Sequence, residues 1–170
     1  LLNSCSKNEG VETAKEKVET PEPVREIKAD EIETRNGIFY EVNQSNPFTG
    51  VVQDFYSIGQ KEEESNFKDG RYHGLKTHWH ENGQKKSETS YENGDQHGLK
   101  TVWHDNGQKK AETIYKDRKR YGLITMWHKN GQKKGEFNYK NGKEHGLTKM
   151  WHGNGRKMAE ANYENGEKHG

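Results

Sequence analysis

Residues 74–97 read GLKTHWHENGQKKSETSYENGDQH, and this text returns with few changes at 98–121, 122–145 and 146–169. The step of 24 residues is kept by Gly74, Gly98, Gly122, Gly146 and Gly170 and by Trp79, Trp103, Trp127 and Trp151. Self-similarity at a fixed period of this size marks an array whose units pack on their neighbours. Within one unit, two runs of strand character, 75–80 and 84–91, are each followed by a turn signal, Asn82-Gly83 or Asn93-Gly94. Asn-Gly in that setting is a strong hairpin signal, so each unit holds two strands. Connections this short make neighbouring strands antiparallel. The expected fold is all-β: a single-layer, elongated, twisted antiparallel meander of about ten strands, roughly 45–50 Å long at about 4.8 Å per strand.

Working outward, residues 50–73 form a degenerate first unit. Phe55 stands in the tryptophan column, Gly59 in the Asn-Gly column and Phe67 in the tyrosine column. Residues 50–170 thus make five hairpin units. Residues 24–49 are an entry region, in which 31–35 and 38–42 flank Asn36-Gly37 and predict a β-hairpin. Residues 1–23 are a short start followed by a linker: residues 7–23 are rich in Glu, Lys and Thr, end in Thr20-Pro21-Glu22-Pro23 and have almost nothing to bury, which predicts disorder. At its start, Leu2-Asn3-Ser4-Cys5 looks like the end of a bacterial lipoprotein signal. Cys5 is then the expected lipidation site, and the cell envelope the expected location, with the cytoplasm as the alternative.

The register follows from the loop. A two-residue loop at Asn82-Gly83 pairs Trp79 with Lys86 and puts Tyr91 on the opposite face. A three-residue loop, with Gly83 left-handed, pairs His80 with Gln84. It gathers Trp79 and Tyr91 on one face and sets Ser87, Ala111, Gly135 and Ala159 opposite the Thr77 column. The second register is the preferred expectation.

Composition limits the function. Apolar residues make up 26% and charged residues 32%, too lean for a thick two-layer enzyme core. The net charge of +1 hides an asymmetry: residues 1–73 hold 9 Lys/Arg against 15 Asp/Glu, and residues 74–170 hold 19 against 12. The mildly basic array keeps the protein soluble or faces an acidic partner.

The text Tyr-x-Asn-Gly-x-x-His-Gly-Leu, followed by Trp-His-x-Asn-Gly-Gln-Lys-Lys and a Glu, resembles the MORN-repeat variant of bacterial proteins. Within it, the chain looks most like the YwqK-family antitoxins of toxin–antitoxin pairs. Asn36–Tyr40 and Pro47–Gly50 resemble that family's entry to its repeats. The resemblance implies a twisted single-layer sheet that binds other molecules and carries no catalytic residues. It also suggests neutralisation of a toxin, or binding of membrane lipid by the basic face. Asp117-Arg118-Lys119-Arg120-Tyr121 departs from the pattern, with Arg118 where glycine is expected.

The recurrence argues against metal or catalytic chemistry. His80, His104, His128 and His152 form one column and His73, His97, His145 and His169 another. Equivalent positions in adjacent units stand about 9.5 Å apart, too far for two imidazoles at about 2.0–2.1 Å from one zinc. The Glu64, Glu88, Glu112, Glu136 and Glu160 column has the same spacing, and Glu88 is expected to face Lys76 as an ordinary cross-strand pair. The chain therefore reads as a non-enzyme without cofactor or metal. Its binding-face candidates are Trp79, Tyr91, Trp103, Tyr115, Trp127, Tyr139, Trp151 and Tyr163. Its loop candidates are Arg118, Lys119 and Arg120. The expected partner is a protein, with membrane attachment through lipidated Cys5. Nucleic acid is not expected.

Overall fold

The computed structural model describes residues 24–169; Cys5 and the predicted linker lie outside them. The strands are β1 (Glu26–Lys28), β2 (Ile32–Arg35), β3 (Ile38–Glu41), β4 (Gly50–Phe55), β5 (Lys61–Lys68), β6 (Arg71–Trp79), β7 (Lys85–Glu92), β8 (Asp95–Trp103), β9 (Lys109–Lys116), β10 (Lys119–Trp127), β11 (Lys133–Lys140), β12 (Lys143–Glu144), β13 (Gly146–Trp151), β14 (Lys157–Glu164) and β15 (Glu167–His169). One elongated 13-stranded sheet runs in chain order from β4 to β15, with β12 paired to the end of β11. The all-β meander expected from the repeat is therefore present. One strand departs from it: β1 pairs parallel with β4.

The predicted hairpin at Asn36-Gly37 forms as β2–β3, with both turn residues left-handed at φ 51° and 76°. It folds over the first unit instead of extending the sheet. Phe39 meets Phe67 at 4.8 Å and Tyr72 at 5.2 Å between ring centroids. Phe48, Val52 and Phe67 are buried there as the core cluster, with Ile27, Ala29 and Ile32 packed against them. Fully burying a side chain of this kind contributes roughly 1.5–3 kcal/mol, so this end of the array is where a second layer gives ordinary core packing.

Both kinds of turn follow from their glycines. His80 N–H donates to the Gln84 carbonyl and Gly83 N–H to the His80 carbonyl, each at 2.8 Å, which is the three-residue loop. Gly83, Gly107, Gly131 and Gly155 all take φ near +80° there. The Asn93-Gly94 turn has two residues, both with positive φ. Asp117 and Arg118 adopt the same turn at φ 51° and 62°, so the change from glycine to arginine leaves its geometry intact. The first unit repeats the pattern, with Gly59 at φ 82° and Phe55 opposite Lys61.

The preferred register holds at the loop and fails one residue later. Trp79 pairs with Lys85, but the next pair is His78 with Ser87, so Lys86 is an inserted bulge residue. The same bulge recurs beside Trp103, Trp127 and Trp151. Side chains alternate along a strand, and a one-residue slip moves them to the other face. Tyr91 pairs with Gly74 and shares a face with Lys76 and His78, while Trp79 lies on the opposite face. The single aromatic row is thus two rows, one on each face. Ser87, Ala111, Gly135 and Ala159 stand opposite His78, Val102, Met126 and Met150, not the Thr77 column. Glu88 pairs with Thr77, not Lys76.

Adjacent units are joined at these loops. Asn82 Nδ2 donates to the Asp105 carbonyl at 2.9 Å, Asn106 to Lys129 at 2.9 Å and Asn130 to Gly153 at 2.6 Å. His104 and His128 place Nε2 at 3.1 and 3.0 Å from the Trp127 and Trp151 carbonyls. Tyr56 holds the equivalent place in the first unit, its hydroxyl donating to the Trp79 carbonyl at 2.8 Å.

Candidate functional site

On the tryptophan face, lysines lie over three of the four indoles. Lys61 lies 5.5 Å from the Trp79 ring, Lys85 5.8 Å from Trp103 and Lys133 5.8 Å from Trp151, each over the next unit's indole. A glutamate on the same strand holds each ammonium: Lys61–Glu64 at 2.6 Å, and Lys85–Glu88 and Lys133–Glu136 at 2.5 Å. Lys109–Glu112 and Lys157–Glu160 repeat the pair. The lysine stem and charge cover the ring, and the carboxylate fixes the stem. Trp79, Trp103, Trp127 and Trp151 are all half-buried.

Tyr91, Tyr115, Tyr139 and Tyr163 are half-buried on the other face. Their row begins in the core cluster, where Tyr72 packs on Phe67 at 4.6 Å and on Tyr91 at 5.1 Å. Further along, Arg120 lies between Tyr115 and Tyr139, 5.5 Å from the Tyr139 ring. Hydrogen bonds to Tyr115 and Tyr139 hold the Arg120 guanidinium above its ordinary pKa. Burial, with Glu144 accepting its hydrogen bond, pushes the Tyr139 phenol up against the pull of Arg120. Near the first unit, Lys76 bonds Glu63 at 2.6 Å. Burial there raises the Glu63 carboxyl, but hydrogen bonds from Lys76 and Ser65 and the Lys76 charge outweigh it and leave the pKa low.

The aromatic candidates recur in every full unit, half-buried on one face or the other, and the array becomes distinctive where units differ. Residues 98–145 differ on both faces. On the tyrosine face, Ile124, Met126 and Phe137 replace Lys76, His78 and Thr89 of the second unit. Ile124 is buried, and Met126 is partly open beside a trough of about 370 Å³ lined by Val102, His104, Lys110, Ala111, Met126, Trp127 and Lys134. On the tryptophan face, Leu99 pairs with Ile114 and Ile114 with Tyr121, and Leu123 follows two residues on. These four are 48%, 41%, 47% and 45% exposed, which makes them a continuous apolar patch. Leu75 is as exposed at 45% but pairs with Ser90 and stands alone.

The loop candidates divide between these surfaces. Arg118 sits in the turn and bonds Asp95 of the preceding unit at 2.5 Å. Lys119 opens β10 on the tryptophan face, beside the apolar patch, and Arg120 belongs to the tyrosine row. Sequence reasoning missed Leu99, Ile114, Tyr121 and Leu123 as a group. Ile114 where other full units carry Ser90, Asn138 and Asn162, and Tyr121 in the His97 column, are the signals that mark it.

Among the described residues no group of three or more His, Cys, Asp or Glu side chains comes together as a metal site. No helix in them is long and apolar enough to cross a membrane. A family model described as a MORN repeat variant matches residues 72–93, 96–117, 120–141 and 144–165, together 88 of the chain's 170 residues. Each window frames one hairpin, from the Tyr72 column to the Asn93 column. No curated protein matches the chain.

Proposed function

The chain belongs to the MORN repeat variant family, whose repeats are generally a non-catalytic module for binding, and on that premise we propose that it binds a protein partner through its central units. The observation that carries this reading is the patch of Leu99, Ile114, Tyr121 and Leu123. It is joined across directly paired strands, and among the described residues no second layer covers the sheet there. Large exposed apolar patches mark interaction surfaces, whereas single exposed leucines do not. The repeated Trp and Tyr columns hold the units together, and the unit-to-unit differences select the partner.

The test is site-specific photocrosslinking in the native host. A photoreactive residue at Leu123 or Leu99 is expected to give a discrete protein adduct, and one at Leu75, in the same column with similar exposure, is not. Equal adducts from all three positions, or none, would sink the reading. Neutralisation of a toxin by direct binding is a finer form of this proposal; an adduct with a protein that is harmless when expressed alone counts against it. Anchoring to the bacterial envelope through Cys5 is a second, and an unmodified Cys5 in the intact mass of the native protein counts against that.

A further inference from the structure

The turns between units carry charges that the fold does not require. On the tryptophan face the residues flanking each turn pair directly: Lys68 with Arg71, Glu92 with Asp95, Lys116 with Lys119, Lys140 with Lys143, and Glu164 with Glu167. Like charges directly opposite one another are destabilising. The Asn93 and Asn165 turns place acid against acid, and the two turns between them place lysine against lysine. Lys116, Lys119, Lys140 and Lys143 are all exposed, and among the described residues none makes an ion pair, unlike the Lys85 column on the same face. Crossing β9 to β12 at about 4.8 Å per strand, they form a row roughly 14 Å long. A cleft of about 210 Å³ between the two turns is lined by Lys116, Asp117, Lys119, Arg120, Tyr121 and Asn141. Tyr121, with Lys116 6.0 Å from its ring, joins the row to the apolar patch.

We propose that this row is the docking site of an acidic protein segment. Its carboxylates lie over the four lysines and its apolar side chains on Leu99, Ile114, Tyr121 and Leu123. The inference rests on the protein-binding reading and gives the partner its chemistry. Charge complementarity selects an acidic occupant. The flanking acid pairs, Glu92–Asp95 and Glu164–Glu167, limit its size. A short segment over the two inner turns meets four lysines with Asp117 beside them, whereas an anionic membrane or a nucleic acid strand laid along the sheet also meets both acid pairs.

The probe is a fluorescein-labelled peptide of 12 residues, glutamates interspersed with leucines, titrated by anisotropy into the full chain at low and moderate salt. Control peptides replace Glu by Lys or Leu by Ser, and phosphatidylglycerol vesicles form a separate arm. The test variant is Lys116→Glu with Lys143→Glu, which installs residues the same columns already carry as Glu92 and Glu167. The control is Lys110→Glu on the other face, where Glu62 holds the column. The acidic apolar peptide is expected to bind, to weaken with salt, and to lose at least about tenfold in the double variant but less than about twofold in Lys110→Glu. Both control peptides are expected to bind at least tenfold more weakly. No binding, equal losses in the two variants, equal binding of either control peptide, or vesicle binding that the double variant alone abolishes would each overturn the proposal. An adduct at Leu123 without peptide binding leaves the protein-binding reading standing and removes only the acidic segment.

Discussion

Replacing Asn106 by alanine should cost more stability than replacing Asn154, although both asparagines occupy the same loop position. Asn106 Oδ1 accepts the Gln108 N–H at 3.2 Å, and its Nδ2 donates to the Lys129 carbonyl of the next unit at 2.9 Å. Asn154 Oδ1 accepts the Arg156 N–H at 3.1 Å, and among the described residues its Nδ2 has no partner. Neither residue has positive φ, so alanine adds no backbone strain and the comparison isolates the side-chain bonds. A typical intramolecular hydrogen bond contributes a net of about 0.5–1.5 kcal/mol, and these are exposed. Asn154→Ala should therefore cost about 0.5–1 kcal/mol and Asn106→Ala about 1–2 kcal/mol. A chain of this size shifts its Tm by about 2–4 °C per kcal/mol, so the two variants should differ by roughly 1–4 °C. Thermal and urea unfolding followed by tryptophan fluorescence reads this in the four full units. An Asn154→Ala loss equal to or larger than that of Asn106→Ala would refute the idea that these asparagines link one unit to the next.

Other expected outcomes follow from single contacts. Gly142→Ala places a Cβ no closer than 3.6 Å to Lys119, so its cost is the backbone at φ 83°, about 1–2 kcal/mol. Gly70→Ala meets Phe39 O at 2.7 Å and crowds Ile38 still more closely, so it should cost at least 2 kcal/mol more, on the order of an overpacking penalty; similar melting points for the two would contradict the close seat of the β2–β3 hairpin. Lys116→Glu turns a like-charge pair into an opposite one and should raise stability by about 0.5–1 kcal/mol, so a lower melting point than wild type counts against the strand pairing there. Glu63 contributes stability through a lowered pKa, which is fully present above the ordinary carboxylate range and lost as pH falls through the folded value. Glu63→Gln should therefore flatten the acid limb of the stability curve below about pH 4.3. An unchanged acid limb would show that the Lys76 pair has no effect in solution.

The architecture was legible because turn chemistry repeats. Asn-Gly pairs at a 24-residue step identify the hairpins, the three-residue loop and the left-handed Gly83 before any coordinates. The faces were not legible. The bulge that separates Trp79 from Tyr91 falls within Lys85-Lys86, and an inserted residue flanked by its like leaves no compositional mark. Arg118 was misleading in the other direction. An unfavourable residue in a two-residue turn suggests altered geometry, yet the strands on either side and the Asp95 pair hold it left-handed. The apolar patch was obscured because the eye follows what recurs. Ile114 and Tyr121 are informative because they differ from their columns, and strand pairing is needed to see that Ile114 stands between Leu99 and Tyr121.

The claim on which the rest depends is that tryptophans and tyrosines occupy opposite faces. In a Cys5→Ser background, cysteines at Val102 and Ala111 are directly paired and share a face. Cysteines at Thr101 and Ala111 would be paired only in the register without the bulge. A disulfide needs Cβ atoms about 3.5–4.5 Å apart and pointing toward each other. Under mild oxidation, mass spectrometry should find the bond in the Val102→Cys, Ala111→Cys protein and free thiols in the Thr101→Cys, Ala111→Cys protein. The opposite outcome would place Trp103 and Tyr115 on one face and contradict the two-faced sheet.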